Sequence, residues 1–309
     1  PARVRLAVAN LDAETRSGVA LAELLAGRAT AAISGGFFLY SETDIAPPSR
    51  RHDPIGLLLG DGVVQVPPVF RRAGLLVGEK GVEIRCIDLD DVGVRVEGVS
   101  VSLAETWTRA RADVGPDAPS IAIVGDRVVA VGGVRDVPLN GFVATIEGGV
   151  PDVAAAGARV SYDPPRVGGE PAHAGICGGP MLVEDGQPVF DLSAEDFRRT
   201  APPVTFSQDE TGDRNLLARM AIGLDGAGRL LAAAIDGRNM HRAVGMRLAD
   251  VGRLMIQLGC ERAANLDGGS SKRMVIEGQV MDLASTEIVT GATTTKRVRP
   301  LHTAILFRA

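Results

Sequence analysis

The chain has 309 residues, of which 45% are hydrophobic and only 4% aromatic, and its formal net charge at pH 7 is −5. The apolar content suffices for a substantial aliphatic core, and 38 glycines with 18 prolines predict many turns. The acidic balance argues against a general nucleic-acid-binding protein, which would carry a basic surface, and no run reaches the roughly 20 apolar residues of a membrane span.

Short runs rich in Val, Ile and Leu recur along the chain between turn signals. Gly-Asp-Gly at residues 60–62, Gly-Asp at 125–126 and Glu-Asp-Gly at 184–186 favour the tight turns that join neighbouring strands. The predicted strands are residues 4–8, 55–59, 63–66, 92–96, 121–124, 128–131, 142–146, 220–224, 230–235 and 263–266.

Helical periodicity occurs at three places, residues 19–26, 103–112 and 247–258. Many strands with few helices, and without regular alternation of the two, predict an α+β fold with a mixed, largely antiparallel sheet and a few helices. The polar, irregular segment 192–213 is long for a simple connection, and we interpret it as a lid or binding loop.

The cysteines Cys86, Cys177 and Cys260 are widely spaced, which gives neither a zinc-site spacing nor a disulfide framework. One bridge with one free thiol fits this pattern, and three buried thiols fit it better. No signal peptide is visible, but the chain begins at Pro1, so a processed form with a removed leader is an interpretation that leaves the compartment unknown.

The densest group of polar residues is the segment 265–271, Asn-Leu-Asp-Gly-Gly-Ser-Ser. It follows an apolar run that reads as a short buried strand, so Asp267 is expected at the end of that strand, on rigid scaffold. The glycines let backbone N–H groups approach a ligand closely. A plain tight turn explains the same residues about equally well when they are taken alone.

Further blocks occur in a fixed order along the chain. They are Ser-Gly-Gly-Phe-Phe at 34–38, Gly-Ile-Cys-Gly-Gly-Pro-Met-Leu at 175–182, Ala-Arg-Met-Ala-Ile-Gly at 218–223, Ile-Asp-Gly-Arg at 235–238 and Arg-Pro-Leu-His-Thr-Ala-Ile-Leu-Phe at 299–307. Together with the 265–271 block, this order resembles the phosphodiester glycosidase family. The resemblance runs from about residue 30 to 309 and implies one domain over 1–309, with an insertion or extension within 41–135.

The resemblance implies a hydrolase that cleaves a sugar-1-phosphodiester at the anomeric carbon and releases a sugar and a phosphomonoester. Members of the family act on N-acetylglucosamine, and bacterial relatives are linked to exopolysaccharides and are often extracytoplasmic. Asp267 is the first candidate for the catalytic carboxylate, and Asp236 is the second, although a strand-end turn explains Asp236 equally well. Arg219 and Arg238 are the candidates for binding phosphate, which a guanidinium can hold with two hydrogen bonds.

Other family positions are candidates for binding the substrate. Asn265 and Ser271 are expected to orient the sugar, and His302 to line the site. Phe37 and Phe38 are interpreted as core residues. The glycines expected to permit close approach of the backbone to the ligand, or else to form bulges and turns, are Gly35, Gly36, Gly178, Gly179, Gly268 and Gly269.

The chain departs from the family pattern at three places. Ser34 stands where the family has Asn, Ser270 stands where it has a third glycine, and Lys272 with Arg273 intervenes before Met274. The two cations favour contact with an anionic substrate. The two serines motivate an alternative, a non-catalytic glycan-binding or exopolysaccharide-assembly protein on the same scaffold.

A third hypothesis is an enzyme on the same fold that acts on non-phosphorylated glycans or on another phosphate ester. The expected partner is a carbohydrate or sugar-phosphate. No cofactor is assigned, and a divalent cation with Asp236 or Asp267 as its ligand has no ligand spacing in the sequence to support it.

Overall fold

The computed structural model describes residues 5–10, 29–39, 53–197, 213–239, 241–285, 288–289, 292–293 and 301–308. Strands dominate these residues. In chain order the first half holds β1 (Arg5–Asn10), β2 (Ala31–Ser34), β3 (Leu58–Gly60), β4 (Val63–Val66), β5 (Arg72–Gly78), β6 (Gly81–Ile87), β7 (Gly93–Val96), β8 (Val99–Val101), β9 (Leu103–Thr108), β10 (Ser120–Val124), β11 (Arg127–Gly132), β12 (Gly141–Ile146) and β13 (Val160–Asp163).

The second half continues with shorter strands and one helix. These are β14 (Arg166–Val167), β15 (Glu170–Pro171), β16 (Ala174–Cys177), β17 (Met181–Glu184), β18 (Gln187–Pro188), β19 (Arg219–Asp225), β20 (Leu230–Ile235), α1 (Leu248–Gln257), β21 (Cys260–Leu266), β22 (Met274–Ile276), β23 (Gln279–Val280), β24 (Ile288–Val289), β25 (Ala292–Thr293) and β26 (Thr303–Arg308). Single 3-10 turns lie at Leu89–Asp91 and Gly269–Ser271.

Three five-stranded sheets carry the sequence blocks described above. Their strand orders are β1-β26-β2-β22-β23, β4-β3-β16-β5-β6 and β18-β17-β21-β19-β20, and a four-stranded sheet has the order β11-β10-β12-β9. The pairings among the described strands are antiparallel. The prediction of a largely antiparallel, strand-rich fold is therefore confirmed, and the part of the chain described contains fewer helices than the α+β label suggests.

The helix prediction is right at one place and wrong at another. Predicted residues 247–258 form α1, whose buried face of Leu248, Val251 and Met255 packs against β17, β19 and β21. Predicted residues 103–112 instead begin with strand β9, which pairs with β12. The distant partner strand outweighed the local helical spacing, as tertiary pairing often does. Predicted helix 19–26 lies outside the described residues.

Two of the buried clusters among the described residues connect several sheets. One joins the four-stranded sheet, through Ile121, Ile123 and Phe142, to Phe37 and Phe197. The other gathers aliphatic side chains from strands β2, β5, β16, β19, β21 and β26, namely Ile33, Leu75, Ile176, Met220, Ile222, Leu266 and Ile305. The chain segments at the ends of β2, β19 and β21 are joined by hydrogen bonds, from Asp267 N–H to Gly35 O and from Gly269 N–H to Ala218 O. Among the described residues no helix is long and apolar enough to cross a bilayer.

Candidate functional site

Asp267 lies at the end of a central strand, as the sequence predicts. Strand β21 is flanked by β17 and β19 and ends at Leu266. The Asp267 N–H donates to Gly35 O at 2.9 Å, which ties the loop to the chain after β2. The Gly269 N–H donates to Ala218 O at 2.8 Å, just before β19. The position of Asp267 is therefore fixed by neighbouring strands on both sides.

A cavity of about 90 Å³ opens beside this loop. Its lining brings together six residues that the sequence assigns to the site, which are Arg219, Arg238, Asn265, Asp267, Gly268 and Gly269. It also includes four residues that the sequence did not assign, which are Phe37, Leu217, Leu266 and Ser270. Phe37 and Leu266 also belong to the buried clusters, so the cavity borders the hydrophobic core.

Arg219 begins strand β19 and is 4% exposed. Its Nε donates to Met246 O at 3.0 Å and its Nη2 to Asn215 O at 3.1 Å. Desolvation, followed by repulsion from the Arg238 cation, lowers the pKa of Arg219 to about 10, so the side chain stays charged near neutral pH. Two guanidinium groups in one cavity favour an anion there.

Arg238 lies against the glycines of the loop. A Cβ added at Gly269 would overlap Nη2 of Arg238, and a Cβ at Gly268 would come within 2.7 Å of Ala218 O. The backbone at Gly269 is left-handed, with φ of +56°. The glycine pair is therefore needed so that the arginine and strand β19 can approach the loop closely.

Asn265 is held on three sides. Its N–H donates to Pro180 O at 3.0 Å, its carbonyl accepts from Gly179 N–H at 2.7 Å, and its Nδ2 donates to Gly179 O at 2.8 Å. These bonds fix the amide orientation. Its Oδ1 is buried and meets no hydrogen-bond donor among the described residues. Buried acceptors are rarely left without a donor, so this oxygen is suited to a ligand hydroxyl or N–H group.

The remaining predicted glycines pack against protein and do not line the cavity. A Cβ at Gly36 would overlap Cys177 O, and a Cβ at Gly178 would come within 2.5 Å of Asn265 O. Gly35 N–H donates to Thr303 O at 3.1 Å, and Gly36 N–H donates to Thr303 Oγ1 at 3.1 Å. These glycines allow the strands beneath the loop to pack closely.

Asp236 lies outside the cavity lining and is engaged in an ion pair. Its Oδ1 accepts from Lys272 Nζ and from Leu283 N–H, the latter at 2.9 Å. The Lys272 side chain is 0% exposed and also pairs with Asp282 at 3.3 Å. Arg273 pairs with Asp282 at 3.2 Å. Both cations are thus neutralised inside the protein, which contradicts their interpretation as substrate contacts.

Three further residues from the sequence blocks lie outside the cavity lining. Ser34 Oγ donates to Asp267 O at 3.2 Å and accepts from Arg273 N–H at 3.3 Å, so the serine in place of Asn still bonds the loop. Ser271 is buried outside the cavity lining. His302 is 8% exposed and its ring centroid lies 4.0 Å from that of Phe38, also outside the cavity lining.

The sequence indicates a lid or binding loop at residues 192–213, but four side chains of its part 192–197 are buried behind the site, and residues 198–212 lie outside the described ranges. Sequence patterns did not indicate the contacts that hold this part. Glu195 is 2% exposed and accepts from Ala73 N–H at 2.7 Å and Met181 N–H at 2.5 Å. Arg72 is equally buried and donates to the carbonyls of Glu195 and Asp196. No local spacing signals these contacts, because the partners are far apart in the chain. Elsewhere in the described ranges no group of three His, Cys, Asp or Glu is arranged to hold a metal ion.

The chain is similar in sequence to one known protein family. The family model for phosphodiester glycosidase matches residues 112–308. No curated protein matches the chain in sequence.

The solved structures that share the fold include the three that follow. A hypothetical protein from Synechocystis has 18% identity and a TM-score of 0.57 over 99% of this chain. A putative exported protein from Burkholderia pseudomallei has 19% identity and a TM-score of 0.59, again over 99%, and covers 72% of that chain. The zebrafish N-acetylglucosamine-1-phosphodiester alpha-N-acetylglucosaminidase catalytic domain, auto-inhibited by its pro-peptide, has 15% identity and a TM-score of 0.54, over 98% of this chain and 73% of that one. The chain spans 57% of the Synechocystis protein's length.

Proposed function

Because the chain belongs to the phosphodiester glycosidase family, we propose that it hydrolyses a sugar-1-phosphodiester at the anomeric carbon. The products are a free sugar and a phosphomonoester. The zebrafish structure of similar fold is named for N-acetylglucosamine-1-phosphodiester, and N-acetylglucosamine is accordingly the first sugar to test. The observation that carries the proposal is the meeting of one carboxylate, Asp267, and two guanidinium groups, Arg219 and Arg238, in one small cavity.

Each group has a defined part in this reaction. Asp267 acts at the anomeric carbon, either as the base that takes a proton from water or as the nucleophile. The C–O bond to the phosphate breaks, and the phosphomonoester leaves as an anion. Arg219 and Arg238 stabilise that negative charge, in a site where burial strengthens the attraction. Since phosphate leaves without being protonated, the reaction needs a general acid less than an ordinary glycosidase does.

Asn265 and Asp236 assist in this proposal. The Asn265 Oδ1 accepts a hydrogen bond from the sugar, because its Nδ2 is already engaged by Gly179 O. Asp236 assists by structure: it pairs with Lys272 and accepts from Leu283 N–H, and so holds the chain near residue 283 beside the 267–271 loop. The cavity has room for a group of a few heavy atoms, which suits a phosphate or one edge of a sugar.

Turnover of a panel of sugar-1-phosphodiesters in oxygen-18 water tests the proposal, with phosphorus NMR and mass spectrometry as the readouts. Label in the released sugar is expected, since water then attacks the anomeric carbon. Label in the phosphate would mean a phosphodiesterase. Equal rates on substrates without phosphate would indicate an ordinary glycosidase. Binding without turnover would favour the glycan-binding alternative that Ser34 and Ser270 motivate.

The substitution Asp267→Asn is expected to leave the fold intact and to lower turnover by about 10²–10⁴-fold, the usual contribution of a positioned base. Asp225→Asn is the matched control, because Asp225 also lies at a strand end but caps the turn at the far end of β19. Full activity in the Asp267 variant, or an equal loss in the Asp225 variant, would overturn the assignment.

A further inference from the structure

Glu195 is a buried carboxylate that the proposed chemistry does not use. It follows β18 in the segment 191–197, and its two oxygens are engaged separately. Oε2 accepts from Ala73 N–H in β5, and Oε1 accepts from Met181 N–H at the start of β17. Burial raises the pKa of Glu195, and the two backbone hydrogen bonds and the cation of Arg72 counteract that rise. Burying a carboxylate costs free energy, so Glu195 is expected to serve a structural role through the backbone groups that it binds.

The segment that carries Glu195 is anchored firmly. Arg72 Nη1 donates to Glu195 O at 2.5 Å and Nη2 donates to Asp196 O at 3.2 Å. The same guanidinium lies 3.2 Å from the centroid of the Phe197 ring. Phe197 in turn makes an edge-to-face contact with Phe37, which lines the cavity. Glu195 is therefore a fixed point in the core.

One pair of residues, Gly179 and Pro180, connects Glu195 to Asn265 in the cavity lining. Met181 follows Gly179 and Pro180, and this pair makes the three hydrogen bonds to Asn265 described above. Glu195 also touches the pair directly, because a Cβ at Gly179 would come within 2.7 Å of Oε2. Asn265 precedes Asp267 by two residues on the same strand end.

We propose that Glu195 is a positioning residue that, through Gly179 and Pro180, fixes Asn265 and thereby the placement of Asp267 in the cavity. The contacts of Glu195 with residues 179–181 support this positioning role. Its kinetic consequence rests on the proposed function, because it needs Asp267 to be the catalytic carboxylate.

Asp196 provides a matched comparison one residue away. It is similarly buried, at 7% exposed. It accepts from Arg71 N–H at 3.0 Å and pairs with Arg111 Nε at 2.9 Å. It thus anchors the same segment to the same part of the chain, but none of its described contacts reaches residues 179–181. Asp196→Asn perturbs the anchoring without perturbing the route to Asn265.

The test is the side-chain amide signal of Asn265 in nitrogen-15 NMR of the full chain, compared between Glu195→Gln and Asp196→Asn. The Nδ2 protons donate to Gly179 O, so a displaced 179–180 pair moves their resonance. Glu195→Gln is expected to shift that signal and speed its hydrogen exchange by about tenfold, whereas Asp196→Asn leaves it in place. An unmoved signal in Glu195→Gln, or equal shifts in both variants, would overturn the proposal.

A titration of the unmodified protein covers the case in which Glu195→Gln does not fold. The groups that face Glu195 are Arg71 and Arg72, with the thiols Cys86 and Cys177 nearby. The Asn265 signal is expected to change over the same pH range as the signal of the Glu195 carboxyl carbon. Protonation converts one carboxylate oxygen into a hydroxyl, which weakens one of the two hydrogen bonds from Ala73 N–H and Met181 N–H. Independent titrations would contradict the proposal.

Kinetics then separate this inference from the proposed function. On methyl N-acetylglucosamine 1-phosphate, Glu195→Gln is expected to lower kcat by about 10- to 100-fold with KM nearly unchanged, since a displacement of less than 1 Å at the reacting centre has that effect. A lack of turnover in the unmodified protein and in all variants, together with an Asn265 signal that shifts only in Glu195→Gln, would support the positioning role and refute the proposed function.

Discussion

Two like charges in one cavity define the site at the scale of single residues. Arg219 and Arg238 repel each other, and that repulsion adds to the desolvation that lowers the pKa of Arg219. A bound anion relieves the repulsion and is therefore held more tightly than by either arginine alone. The shape of a guanidinium matters as well as its charge, because it presents two parallel N–H groups to a phosphate.

Arg238→Lys is expected to weaken binding of inorganic phosphate by about 10- to 100-fold, because the ammonium keeps the charge and loses the paired donors, at about 1.5–3 kcal/mol for one charge-assisted hydrogen bond. Calorimetric titration measures this. Arg242→Lys, an exposed position four residues along the same loop, is the control and should bind phosphate as the unmodified protein does. Unchanged binding in the Arg238 variant would remove this arginine from the anion site.

Residues of one motif could be placed in the site from their spacing, whereas Arg219 and Arg238, which are far from Asp267 in the chain, could be placed there only through the family resemblance. Asp267, Asn265 and the two glycines form one motif, and the sequence assigns them together. Lys272 and Asp236 are 36 positions apart, and nothing in the spacing shows that they form an ion pair. Their pairing requires the turn after β20 to meet the loop after β21.

At the scale of elements, local turns were predictable and long-range strand pairs were not. Asp61 and Gly62, with φ of +49° and +76°, and Asp185 and Gly186, with φ of +50° and +71°, form the predicted turns, since these residues tolerate left-handed backbone. Helical spacing wrongly predicts a helix where strand β9 forms, because the partner strand β12 lies about 40 residues later in the chain. The sequence carries no local trace of that pairing.

Gly141→Ala tests how closely the strands of the four-stranded sheet are fitted. A Cβ at Gly141 in β12 would overlap Ile123 O of β10, which is backbone and cannot rotate away. We expect a loss of about 1–3 kcal/mol in the free energy of unfolding, measured by urea denaturation. Gly133→Ala at the edge of the same sheet has its nearest neighbour at 3.8 Å and should change stability little. Equal effects at both positions would refute the close fit.

At the scale of the whole molecule, the last described strand closes a sheet that begins with the first. β26 lies between β1 and β2, with Arg5 opposite Arg308 and Ser34 opposite Ala304.

The prediction of an insertion within 41–135 stays a prediction. Those residues supply strands β3 to β11, of which β3 and β5 pair with β16 and β10 pairs with β12.

Hydrogen exchange of the full chain should rank the strands of this sheet. The amides of β26 are paired on both sides and are expected to exchange only when the molecule unfolds as a whole, whereas those of β23 at the sheet edge should exchange roughly 100-fold faster or more. Mass spectrometry of peptic fragments measures the two regions. Faster exchange in β26 than in β23 would show that closure of this sheet is not part of the global transition.

The central position of β26 also bears on how the protein is made. During translation β1 and β2 leave the ribosome early, and the gap between them is filled only when residues 303–308 emerge. Until then the contacts of Thr303 to Gly35 and Gly36, on which the Asp267 loop rests, do not exist. A chain that ended before residue 303 would therefore carry both cavity arginines and the carboxylate, but it would lack the strand that holds Gly35 and Gly36 beneath the Asp267 loop.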